Sequence, residues 1–288
     1  MSFSSVRRII AITTVAMLAS VASAGAQVGW LHPEFKQGIM LEVSKSTIKY
    51  GPEFTFGSMI WMLTGKARLG QSTTLVTEFD AAHAGYKDSY PMYYWYELPK
   101  PQTAIGNPYF GLEFQNPTSP LYGRVGVRVP VASEDKVDAL AFGTYSQFGR
   151  FEAFLPKVTT VSVQVGYIKK LPDQPIVIRG YLQPNLMIPN EGDAEVISDV
   201  SGEFGVQTHY VDVTVGVLGR VLVTESDLEF SERTMFLFGS AASVNIGQAG
   251  VGGYVHVPLD HDWQDLIDLT YGLTLMFHFK YATPARYP

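Results

Sequence analysis

The chain contains no cysteine. That excludes a disulfide framework, thiolate metal centres and cysteine nucleophiles together, and it suits a protein that crosses an oxidising compartment. Past the first two dozen residues, no apolar run approaches the roughly 20 residues of a transmembrane helix. Residence in a membrane would therefore have to come from strands. Charged residues make up only 17% of the chain and form no basic cluster, which argues against a nucleic-acid partner. Neither a cofactor nor a bound metal is expected.

What is present begins with an export signature. Arg7 and Arg8 form a short basic region, residues 9–21 are apolar but too few to span a bilayer, and Ala22-Ser23-Ala24 and Ala24-Gly25-Ala26 supply small residues. This is the arrangement of a secretory signal peptide. Residues 1–26 are expected to be removed, with cleavage after Ala24 or Ala26. Loss of the two arginines takes the formal charge from −6 to −8 and leaves 27–288 as one β-domain.

The last apolar segment, 267–281, carries the clearest pattern. Its odd positions read Ile, Leu, Tyr, Leu, Leu, Phe, Phe, Tyr, while its even positions carry Asp268, Thr270, Gly272, Thr274, Met276, His278 and Lys280. A period of two marks a strand with one oily and one wet face, and an oily face ending in aromatics suits a strand between lipid and a watery lumen. Similar alternation predicts about twelve strands, at 38–44, 54–64, 73–82, 109–115, 121–129, 158–168, 176–188, 196–207, 210–223, 234–245, 249–257 and 267–281. Every second connection is short, whereas 84–108 and 130–157 are long. Short turns at one end and longer loops at the other characterise transmembrane barrels. The fold expected is an all-β, transmembrane antiparallel barrel of about twelve strands in the bacterial outer membrane, behind a cleaved signal peptide.

Two resemblances accompany this reading. Thr270, Gly272, Leu275 and Phe277 resemble the C-terminal assembly signal of outer-membrane barrels, although the tail 282–288 departs from it; the likeness implies outer-membrane lipid and the outer-membrane assembly machinery as partners. The stretch Asn107-Pro108-Tyr109-Phe110-Gly111-Leu112, a turn, then Gly123-Arg124-Val125-Gly126-Val127-Arg128-Val129-Pro130 is similar to a hairpin in the putative transporters named for the meta-pathway of phenol degradation. There the hairpin opens Gly-Asp-Pro and closes Lys-Leu-Pro-Thr-Gly, so Asn107 stands for the Asp, and Val131 and Ala132 follow the proline here. The likeness spans about 25 residues and implies passage of small molecules across the outer membrane.

Catalytic constellations are sparse. Barrel phospholipases and lipid A deacylases resemble one another in a His-x-Ser pair, in which imidazole activates a hydroxyl. The six histidines here are followed two places on by Glu34, Gly85, Val211, Pro258, Trp263 and Lys280. Omptin-like proteases use Asp-x-Asp and Asp-x-His pairs, and Glu78-x-Asp80 is the nearest approach. Asp260-His261-Asp262-Trp263-Gln264-Asp265 offers carboxylates and an imidazole for a divalent cation; the alternative is a solvated turn with Trp263 at the membrane interface.

Charges on the wet strand faces are the stronger candidates. Glu78, Asp80, Glu113, Arg124 and Arg128 fall on three consecutive strands, and Arg179, Asp199, Glu203, Asp212 and Arg220 on three more. Such groups either line a lumen and select solutes or pair across strands and fill it. Tyr93, Tyr94, Trp95 and Tyr96 in the loop 86–101 are candidates for stacking on a solute at the mouth, or for packing the loop itself. The segment 133–154, with Phe142, Phe148, Phe151 and Phe154 among charges, is expected either to fold inward as a plug or to form a short amphipathic helix. Together these features point to an outer-membrane channel or transporter for a small solute through a narrow polar lumen, and not to an enzyme. The alternatives are a plugged structural or adhesive barrel whose loops bind a partner and, third, a membrane-embedded hydrolase.

Overall fold

A computed structural model describes residues 30–31, 37–49, 54–86, 100–116, 118–225, 227 and 229–279. The expected signal peptide and the candidates Tyr93, Tyr94, Trp95 and Tyr96 lie outside the described residues.

The strands are β1 (Gly38–Ile48), β2 (Met59–Arg68), β3 (Thr73–Ala84), β4 (Gln102–Ile105), β5 (Tyr109–Gln115), β6 (Leu121–Arg128), β7 (Val158–Lys170), β8 (Ile176–Pro189), β9 (Glu195–Gln207), β10 (Val211–Leu222), β11 (Thr234–Ile246), β12 (Ala249–Pro258) and β13 (Ile267–His278). Neighbours in sequence pair antiparallel, and β1 pairs with β13 from Gly38↔His278 onward, which closes the sheet. β4 lies against the upper half of β3 (Ala81↔Ile105) and β5 against its lower half (Thr73↔Phe114). They are one wall strand broken at residues 106–108. The wall is therefore a closed antiparallel barrel of twelve strands, which leaves no exposed sheet edge.

The side-chain alternation follows the sequence pattern. On β10, Val211, Val213, Val215 and Val217 are exposed on the outer face while Asp212, Thr214 and Arg220 are buried inside. On β13, Tyr271, Leu273, Leu275 and Phe277 face out, and Thr270, Thr274 and Met276 face in. An outer face of this composition is suited to hydrocarbon, where a cation at mid-depth costs roughly 2–4 kcal/mol. Val215→Arg is accordingly expected to impair assembly into lipid vesicles by about that amount, and Thr214→Arg much less. Equal folded yields of the two variants would contradict the assigned register.

Glycines on the inner face have a packing cause. The Tyr109 ring lies flat on the wall over Gly111 and Gly126, and a Cβ at Gly126 would come within 2.2 Å of the phenol oxygen. Tyr122 covers Gly166 and Tyr254 covers Gly272 in the same way.

The structure corrects the strand at 54–64. The ordered strand begins at Met59 and runs through Gly65 to Arg68, and residues 55–58 form a turn in which Ser58 Oγ donates to the Gly85 carbonyl at 2.9 Å. Gly65 is not a turn residue but an in-strand position beside the Thr77 side chain. β4 was not expected at all, because four residues beside a long loop carry too short a period to read.

The connection between β6 and β7 folds into the barrel. It contains a 3-10 turn (Glu134–Lys136), helix α1 (Val137–Ser146) and a 3-10 segment (Phe148–Phe154) kinked at Arg150. Phe142, Phe154, Ala139, Leu140 and Ala153 bury themselves against Ile60, Met62, Ala82, Ala84 and Ala104 of the wall. Of the two alternatives for 133–154, the inward fold is the one found; the helix it contains is short and broadly apolar, not two-faced. The apolar inner face of β2–β4 is its seat. Near the N-terminus, Trp30 and Leu31 are also buried, packed with Phe148, Leu218, Met235, Leu237 and Ile267.

The acidic segment at 260–265 forms the short helix α2 (His261–Leu266). The Trp263 ring packs 4.3 Å from that of Phe148 on the plug. Among the described residues no group of side chains has the arrangement of a metal site.

Candidate functional site

Inside the barrel, charge compensates charge. Because every second residue of a strand points inward, acidic and basic residues placed on alternate positions of β1, β2, β3, β5, β6, β8, β9 and β10 meet within one enclosed volume. All ten charged candidates are buried there. They divide into groups. Arg128 bridges Glu78 and Asp80, with Nη1 2.8 Å from Asp80 Oδ2. Arg124 belongs elsewhere, 3.5 Å from Glu113, whose Oε2 also lies 3.4 Å from Lys66 Nζ. Arg220 takes Asp199 at 2.6 Å together with Glu152 of the plug. Arg179 pairs with Asp212 at 3.1 Å and lies 3.8 Å from Glu203.

The plug completes this network with residues that have no strand period and so left no mark in the sequence reading. Arg150 Nη2 donates to both oxygens of Glu42 at 2.6 Å, and Nη1 to Glu78 Oε2 at 3.0 Å. Burial works against its charged form, but the carboxylates of Glu42 and Glu78 more than offset that and hold the guanidinium above its ordinary pKa. Gln147 Nε2 donates to Glu42 at 3.0 Å and to Ser44 at 2.6 Å, and the Tyr254 hydroxyl donates to Glu42 at 2.5 Å. Glu42 falls on the strand expected at 38–44, whereas Lys66, in a stretch expected to be a turn, and Arg150, Glu152 and Gln147 were not legible as inward groups.

Asn107 fastens the plug at the break between β4 and β5. Its Nδ2 donates to the carbonyls of Glu152 (3.2 Å) and Leu155 (2.6 Å), and its Oδ1 accepts from Val131 and Ala132 N–H at 2.9 and 3.0 Å. Its own N–H donates to the Ala153 carbonyl at 2.6 Å. Both ends of the inward loop are therefore held by one fully buried amide. The Asp found at this place in the resembling hairpin has no N–H to offer the two carbonyls. Four side-chain hydrogen bonds at about 0.5–1.5 kcal/mol each predict that Asn107→Ala loosens the plug by about 2–6 kcal/mol. Limited proteolysis should then cut within 133–155 in the variant and spare the parent protein; equal resistance would contradict the role given to Asn107.

The plug does not fill the lumen. Between Gly149, Arg150 and Glu152 on one side and β5–β9 on the other lies a small polar cavity, open at its mouth. Arg124, Arg128, Glu78 and Asp199 reach it from the wall, and Thr160, Ser162, Gln164, Gln183 and Asn185 give it a strip of neutral hydrogen-bonding groups. Behind that strip Pro184 interrupts the β7–β8 ladder, whose pairing passes from Ser162↔Asn185 directly to Val165↔Leu182. Proline has no N–H to donate there. Chemically, the cavity can solvate and orient a small polar solute. At its edge, Glu78 and Asp80 share the Arg128 guanidinium.

No family model matches the chain, and no curated protein matches it. Solved structures do resemble it. An outer-membrane channel from Pseudomonas putida F1 has 12% sequence identity and a TM-score of 0.56, covering 88% of this chain and 100% of that one. LpxR from Salmonella typhimurium has 12% identity and a TM-score of 0.51, covering 84% and 100%. At such identities the likeness is one of fold. The chain shares the closed β-barrel fold of these outer-membrane proteins, and its apolar outer face is suited to membrane lipid.

Proposed function

We propose that this barrel is an outer-membrane channel for a small polar solute, which passes between the plug and the wall formed by β5–β9. The observation that carries this reading is the polar cavity left beside the plug: a segment serving only to seal the lumen would have packed against this wall as it does against Ile60, Met62 and Ala82. Likeness to the channel from Pseudomonas putida F1 supports the same reading. So does the hairpin at 107–130, similar to that of the transporters named for the meta-pathway of phenol degradation. The charged groups named above then border the path, and the outer-membrane assembly machinery inserts the barrel by way of its closing strand.

A second reading has its own observation. Arg128, Arg150 and Arg220 tie the plug and wall together through buried carboxylates, as would suit a sealed structural or adhesive barrel. Swelling of proteoliposomes separates the two. The channel reading predicts swelling in small polar solutes, falling off steeply with solute size. Swelling rates equal to those of protein-free liposomes for every solute would favour the sealed barrel.

A further inference from the structure

The apolar inner face of β2–β4 seats the plug, and the lumen has a second apolar seat. Leu218 on β10, Met235 and Leu237 on β11 and Ile267 on β13 are buried there, although the inner face of β10 otherwise carries Asp212, Thr214 and Arg220. The occupants of this seat are Trp30 and Leu31, which are only 5% and 1% exposed and belong to no strand. Gly239 makes the recess: a Cβ there would come within 2.4 Å of Leu31 Cδ1 and 2.9 Å of Trp30 Cη2. The Trp30 ring lies 4.7 Å from that of His256, which stacks in turn on Tyr254 at 4.5 Å. Phe148 of the plug joins the same cluster, so the N-terminal pair and the plug meet inside the lumen.

Apolar contact holds this pair, and its polar groups are poorly served. Trp30 Nε1 is buried without a hydrogen-bond partner among the described residues, and a buried donor left unpaired is costly. Leu31 has a φ of +65°, in the left-handed region where its Cβ crowds the backbone. Its N–H reaches Glu203 Oε1 only at 3.5 Å, beyond the usual range for such a bond. The plug, by contrast, is fastened by four side-chain bonds of Asn107 and by the Arg150 guanidinium. Nor does the wall depend on the pair, because the β1 ladders begin at Gly38, opposite His278 and Lys66. Trp30 and Leu31 can leave their seat without breaking a strand pair.

From this contrast we propose that Trp30 and Leu31 are a releasable stopper. Seated, they close the β9–β13 side of the lumen against Phe148; withdrawn, they add that side to the path beside the plug. The inference rests on the channel reading and concerns its regulation. Single-channel recording in potassium chloride tests it. Besides its main level, the parent protein should show brief openings to a level about twofold larger. The double variant Trp30→Ser, Leu31→Ser, which strips the seat contacts and alters no wall residue, should dwell at that larger level. A parent protein that never leaves its main level, or a double variant confined to it, would overturn the proposal. Should the double variant fold poorly, Gly239→Leu displaces the pair from the wall side and leaves both residues in place. Chymotrypsin, which cuts after Trp and Leu, should then cleave the detergent-solubilised variant at 30–31 about tenfold faster than the parent protein, and equal rates would also overturn the stopper. The two readings fail separately. Faster cleavage with electrical silence in every protein refutes the channel and leaves the pair releasable, whereas conduction at a single level in every protein refutes the stopper and leaves the channel.

Discussion

Replacing residues 133–155 by a short glycine–serine linker is expected to raise single-channel conductance several-fold. Eight-stranded barrels are filled by their own side chains, and barrels of 16–18 strands leave an aqueous channel; at twelve strands, what occupies the lumen decides. Here that occupant is the segment containing α1 and Phe148–Phe154, attached through Asn107, Arg150 and Glu152. The wall ladders from β1 to β13 close without it, so the barrel survives its loss, although Ile60, Met62 and Ala104 then face water. Arg150 and Glu152 leave with the plug, so among the described residues the buried interior keeps Glu42, Glu78, Asp80, Glu113, Asp199, Glu203 and Asp212 against the five cations Lys66, Arg124, Arg128, Arg179 and Arg220, and the wider pore should prefer cations. Conductance equal to that of the parent protein would show that the path does not run past this segment.

The second large effect concerns Arg128. Its guanidinium is the shared partner of Glu78 and Asp80, and its Nη1 also donates to the Asn107 carbonyl at 2.9 Å. Removing one member of a buried ion pair leaves an uncompensated charge and costs about 3–5 kcal/mol. Arg128→Ala is expected to destabilise the folded barrel in lipid by that order, read as a lowered urea midpoint, and Arg128→Met, which restores bulk without charge, should recover little of it. Pairing each change with Asp80→Asn should recover more, because the stranded carboxylate is then gone. Since Arg128 also borders the cavity, its loss should move the reversal potential under a salt gradient toward the cation value. A lowered midpoint with an unchanged reversal potential would leave Arg128 a structural role and remove it from the path.

The wall was readable from the sequence because lipid and lumen impose a period of two. The valines of β10 and the aromatics of β13 therefore gave face and register directly, and the same alternation placed ten charges inside. What failed did so for physical reasons. The start of β2 was misplaced because Ile60 and Met62 face an apolar plug, not water, which blurs the alternation, and because Gly65 reads as a breaker where it is an in-strand position beside Thr77. Arg150 and Glu152 sit in a kinked 3-10 segment with no period to report direction. Asn107 looked like a departure from a familiar hairpin, yet its amide offers two donors and an acceptor that only the folded loop reveals. The four phenylalanines between 142 and 154 were the one trace of the plug, and three of them, Phe142, Phe148 and Phe154, are buried.

Recording from the purified parent protein in planar bilayers tests the channel reading most directly. The account predicts small, discrete conductance steps with a reversal potential displaced toward cations, the direction favoured by the excess of buried carboxylates over buried cations among the described residues. A properly folded and inserted barrel that stays electrically silent would contradict it.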